Sequence, residues 1–90
     1  MAHAVVLQVK LTGDDPEEGE RMLKDLVVPN AQAQAGFQSG IWMRTAGTSG
    51  MGIVVFDTEV NAKGAEAALA PPPGGPELIS STIYEVGAQA

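Results

Sequence analysis

The chain has 90 residues, 44% of them apolar, no cysteine, and eleven acidic against five basic side chains for a formal net charge of −6. That length makes one domain over residues 1–90, with a core that is marginal by itself and has no disulfide to staple it. The missing thiols exclude thiolate nucleophiles and Cys-zinc sites, and the negative charge argues against nucleic-acid and anionic-membrane partners.

His3 to Leu11 alternates with period two, placing Val5, Leu7 and Val9 on one face and Val6, Gln8 and Lys10 on the other, as in a strand with one buried face. This N-terminal stretch lacks the basic start and long apolar middle of a signal peptide, and it reads as the first strand of a cytoplasmic protein. Thr12-Gly13-Asp14 is expected to end the strand. Asp15-Pro16-Glu17-Glu18 is a helix start, with Asp15 as cap and Pro16 in the first turn. The helix is expected over residues 16–35, with Met22, Leu23, Leu26 and Val27 as its apolar stripe and Glu17–Arg21 and Glu20–Lys24 as outer pairs. Pro29 predicts a break near Leu26, and Gly36 a stop; Asn30 reads as solvated.

Phe37 to Arg44 alternates again, and residues 52–57, carrying Ile53-Val54-Val55-Phe56, read as a third strand joined to it by a Gly-rich hairpin. Apolar residues on both of its faces predict a central position. A short helix is expected over 61–70, then a loop through Pro71–Pro76, then a last strand from Leu78 to Val86 with Leu78, Ser80, Thr82, Tyr84 and Val86 on one face. The order β-α-β-β-α-β predicts a ferredoxin-like α+β fold, a four-stranded antiparallel sheet with both helices on one face. The other face then needs a partner, and a second copy of the chain is the expected one.

With Val5, Leu7, Val9, Phe37, Ile41 and Met43 under the helices, Gln8, Trp42 and Arg44 are expected on the open face. There Trp42 would stack on a flat ligand, and Arg44 would attract a phenolate, enolate or carboxylate. The competing reading makes Trp42 a filler of the dimer core and pairs Arg44 with an acid across the interface. Tyr84, the one phenol, is a further candidate ligand contact or an ordinary sheet tyrosine at the rim. His3 is the sole histidine, near a fraying terminus, so no two-histidine metal site is expected. The turn Gly47-Thr-Ser-Gly50-Met-Gly52 joins two strands, so it lacks the helix N-terminus of a phosphate loop.

The segment Val27-Val28-Pro29, the polar–alanine run after it, the Gly36-Phe37 step and a third strand ending Phe56-Asp57-Thr58 resemble the small dimeric α+β barrel proteins. That group contains the antibiotic-biosynthesis monooxygenases. The resemblance implies two copies packed sheet to sheet, and a cofactor-independent monooxygenase or small-molecule-binding protein for an aromatic or polyketide-like substrate. A non-catalytic binding or interaction module of the same fold is the alternative. The haem-degrading members have a histidine on the first long helix; this chain has none there, and carries Gln8 where an asparagine is expected. No cofactor is therefore expected.

Overall fold

The computed structural model describes residues 1–11, 15–45, 47–72 and 75–90. The expected strand stop at Thr12–Asp14 and the centre of the proline loop, Pro73-Gly74, lie outside the described residues. The alternating N-terminal stretch forms β1 (His3–Lys10). Asp15 then accepts a hydrogen bond from the Glu17 N–H at 3.0 Å, and Pro16 opens α1 (Pro16–Met22), as its missing N–H costs nothing there.

Pro29 shapes the rest of this helix. Its ring cannot donate to a carbonyl one turn back, and the chain widens ahead of it into a π-helical segment, Leu23–Val27, before resuming as α2 (Val28–Gln32). Within the widened turn the Val28 N–H donates to the Leu23 carbonyl, five residues back. The break expected near Leu26 is thus a π turn. It also rotates Leu26 out of the apolar stripe, leaving it 58% exposed. Of the two outer pairs, Glu20–Lys24 closes at 3.1 Å, whereas Glu17 and Arg21 make no ion pair among the described residues.

Regular helix ends at Gln32, and Gly36, at φ +79°, turns the chain into β2 (Phe37–Arg44). β3 (Ser49–Phe56) returns antiparallel to it. Thr58 then caps α3 (Glu59–Leu69) by accepting from the Asn61 N–H at 3.1 Å, two residues earlier than the sequence pattern suggests. Asn30 is not simply solvated: its side-chain amide donates to the Ala68 carbonyl at 2.7 Å, satisfying an orphan acceptor in the last turn of α3. β4 (Glu77–Glu85) completes a four-stranded antiparallel sheet in the order β2-β3-β1-β4, with β3 central as expected.

The core lies on one side of this sheet. Val5, Leu7, Val54 and Phe56 from the strands meet Ala31 from α2 and Ala62, Ala65 and Leu69 from α3. Phe37 seals it edge-on against Phe56, the ring centroids 6.4 Å apart. Small side chains on the helices let them approach the sheet closely. Burial of this apolar set, at about 25 cal/mol per Å², is the main force holding the two layers together.

Two β-bulges decide which side chains face where. Phe37 pairs with Phe56 but Ser39 pairs with Val55, so Gln38 is an extra residue in β2. Every side chain beyond it is inverted relative to simple alternation. Ile41 and Met43, expected beneath the helices with Phe37, instead stand on the open face, 53% and 44% exposed. Trp42 and Arg44 turn the other way, toward the helix side. The second bulge falls where Gln8 pairs with Ser80 and Val9 with Leu78, leaving Ile79 extra. It separates Leu78 from the face shared by Ser80, Thr82 and Tyr84.

Candidate functional site

Trp42 is partly buried and packs against the helix-side core. Two glycines make room for it. A Cβ on Gly40 would lie 2.7 Å from Trp42 Cη2 and 3.0 Å from Cζ3, and one on Gly52 would lie 2.9 Å from Cδ1 and 3.0 Å from Nε1. Gly52 is the cross-strand partner of Trp42, and Gly40 precedes it by two residues on the same strand. Both ends of the indole therefore rest on bare backbone, and the ring lies along the sheet instead of standing up from it. Nothing in α1 or the π turn is fully buried, so the helical layer is less tightly closed there than over α3.

Arg44 follows Trp42 on the same strand face, about 7 Å further along at the usual strand rise. Its guanidinium is exposed and makes no ion pair among the described residues. Gln8 stands on the opposite face of the sheet, in a cross-strand row with Met43 and Met51. Correcting the expectation of one shared open face, the bulge at Gln38 puts Trp42 and Arg44 on one side and Gln8 and Tyr84 on the other. An open groove of about 540 Å³ at the end of the sheet still brings Gln8 and Arg44 together, with Met43, Met51 and Ile79 as its apolar lining. Tyr84 is 55% exposed and pairs with Ala4, four residues from Gln8 on β1 and so about 13 Å away.

His3 is not frayed. Its ring is 13% exposed, Nδ1 lies 2.9 Å from the Met1 carbonyl, and Nε2 lies 3.2 Å from Glu59 Oε2. Glu59 also takes Lys63 Nζ at 2.8 Å. The hydrogen bond and charge of Lys63, followed by the charge of His3, hold the Glu59 carboxyl below the usual carboxylate range. Glu59 in turn raises Lys63 above the usual ammonium value. This cluster ties β1 to the first turn of α3. It sits about 13 Å from the Trp42 row, because His3 precedes Leu7, the partner of Gly52, by four residues. Among the described residues no group of three His, Cys, Asp or Glu side chains is arranged to hold a metal ion. Among the described residues no helix is long and apolar enough to cross a membrane.

The sequence pattern singled out Trp42 and Arg44 but not the glycines that seat the indole. A glycine two residues before a strand tryptophan was a visible signal for Gly40, since glycine inside a strand marks close approach. Gly52 had no such signal until the register was known.

No protein-family model and no curated protein matches the chain. Solved structures do. A variant of SnoaB, a cofactor-independent oxygenase from Streptomyces nogalater, superposes with a TM-score of 0.74 at 16% identity, over 98% of this chain and 95% of that one. The chain shares the fold of that oxygenase. A candidate antibiotic biosynthesis monooxygenase from Chloroflexus aurantiacus follows at 0.65 and 13% identity, covering 100% and 98% of the two chains. Rv0793 from Mycobacterium tuberculosis matches at 0.61 and 14%, covering 100% and 99%. These likenesses extend over whole chains of the same length class, so the ferredoxin-like α+β architecture is shared end to end.

Proposed function

We propose that the chain binds a small aromatic or polyketide-like molecule against Trp42 and oxidises it as a cofactor-independent monooxygenase. The observation that carries this reading is a laid-down, partly accessible indole sharing one strand face with a guanidinium that makes no ion pair among the described residues. The first supplies a π surface for a flat ring, and the second an opposite charge for an ionised oxygen. Similarity in fold to a cofactor-independent oxygenase supports the reaction class.

The chemistry asks little of the protein. A methylene carbon flanked by aromatic rings and a carbonyl loses a proton to give an electron-rich anion that reacts with dioxygen. One oxygen atom replaces the two hydrogens as a carbonyl, and the other leaves with them as water, so the substrate supplies all four electrons that dioxygen takes up and no external reductant is needed. Arg44 would favour the ionised substrate, and the helical layer over Trp42 would limit bulk water. Oxygen uptake with a panel of anthrones and hydroquinones tests this. Catalytic consumption that falls on Arg44→Ala supports it, and tight binding with no turnover refutes the enzymatic part.

That second outcome is the alternative, a non-catalytic binding module. It is favoured by one observation: the only imidazole, His3, is engaged with Glu59 and the Met1 carbonyl, far from Trp42.

The open sheet face is the surface for a second copy in this reading. Ile41, Met43 and Tyr84 stand exposed on it beside Val6, Met51 and Ile53, and neither helix of its own chain covers them. Native mass spectrometry of freshly purified protein reads both the assembly mass and any retained ligand. A monomer at micromolar concentration would refute the pairing.

A further inference from the structure

Glycine weakens a strand, because it brings no side chain to pack and gives up more backbone freedom than any other residue. Two glycines on neighbouring strands of one small sheet therefore call for a reason. The reason at Gly40 and Gly52 is shared: each missing Cβ is replaced by an opposite end of the same indole. Either methyl would come within about 3 Å of ring carbons or nitrogen, closer than real Cβ contacts run, so the ring would have to lift off the sheet toward the helices.

The lie of the ring matters for what it can recognise. An indole laid along the sheet offers a face; one tilted upward offers an edge and takes up space in the layer above. A planar fused ring contacts a face over its whole area, whereas a puckered saturated ring of equal size touches it with only some of its atoms. Arg44, further along the strand on the same side, adds a preference for an anionic oxygen at one end of the ligand.

We propose that Gly40 and Gly52 are specificity-determining residues, which hold Trp42 flat so that the site selects planar fused-ring anions over saturated anions of the same skeleton. This rests on the reading above that Trp42 contacts the ligand.

The test uses the full chain and two probes of equal charge and carbon skeleton, 2-naphthoate and decahydro-2-naphthoate, titrated by calorimetry. Trp42 is the only tryptophan, so emission and acrylamide quenching of the ligand-free protein report its seating alone. The wild type is expected to bind 2-naphthoate about tenfold more tightly than the saturated acid, the scale of one aromatic contact. Gly52→Ala and Gly40→Ala, each tested as a safeguard against misfolding of the other, should shift the emission and bring the ratio close to one. Adding Trp42→Phe to Gly52→Ala, which trims the ring that clashes, should restore part of the preference.

Unmoved emission in both glycine variants would overturn the seat. A moved emission with the tenfold ratio intact would overturn the specificity role, and so would a wild type that binds both acids equally. A wild type that binds neither acid overturns the underlying reading of Trp42 as a ligand contact, and the proposal falls with it.

Discussion

The pyrrole edge of Trp42 rests on Gly52, its partner across the β2–β3 ladder, so closely that a single methyl at position 52 would sit 2.9 Å from Cδ1. The tryptophan is therefore part of the packing and part of the candidate site together. Trp42→Ala is expected to abolish binding of an aromatic acid and also to destabilise the fold by about 2 kcal/mol, below the roughly 3–5 of a fully buried tryptophan. Urea denaturation and a ligand titration separate the two effects. Loss of stability with full binding would leave Trp42 a packing residue only.

Gly36 turns the first helix into β2 at φ +79°, and a Cβ there would collide with Asp57 Oδ1 and Asn61 Nδ2. Those two side chains are themselves joined by a 2.7 Å hydrogen bond, and the Asp57 N–H donates to the Gly36 carbonyl at 2.9 Å. Gly36→Ala combines a left-handed backbone with a steric clash. A loss of about 2–3 kcal/mol is expected from chemical denaturation. A loss under half a kcal/mol would show that the junction yields easily.

The open face offers the third prediction. Ile41 sits in a cross-strand row with Ile53, Val6 and Thr82, on the side away from both helices. Ile41→Arg should leave the helix-side core intact while placing a charge in the proposed interface, where burial without a partner is costly. Native mass spectrometry is expected to show a shift from dimer toward monomer with unchanged circular dichroism. A dimer that persists unaltered would put the interface elsewhere.

The cluster of Glu59, Lys63 and His3 predicts a pH dependence. The Glu59 carboxyl is held low, so its contribution is present above the ordinary carboxylate value and is lost as pH falls through the lowered one. Lys63 is raised, so its contribution is present below the ordinary ammonium value and is lost as pH rises through the raised one. The melting-temperature gap between wild type and Lys63→Met should be widest near neutral pH and close at both extremes. Both groups are exposed, so the gap should be small and shrink further in high salt. A gap that is constant with pH would mean Lys63 acts through its alkyl chain.

Much of this protein was legible in the residues. The β-α-β-β-α-β order, the Asp15 cap, the Gly36 stop, the disturbance ahead of Pro29 and the central third strand all follow from local chemistry, because each depends on residues within one or two turns of one another. The type of that disturbance was not legible: whether a proline kinks a helix or widens it into a π turn depends on what the helix packs against. The hydrogen bond of Asn30 is not legible for the same reason, its partner Ala68 being 38 positions away.

Alternation along residues 37–44 is enough to give β2 two chemically different faces, one with Trp42 and Arg44 and one with Ile41 and Met43. Which of them meets the helices is set by packing and strand pairing. Phe37 is pinned in the core against Phe56, and the extra residue at Gln38 reverses every side chain after it. A bulge has no signature in local periodicity: it is the outcome of pairing with β3, where the glycine at position 52 leaves room for an indole.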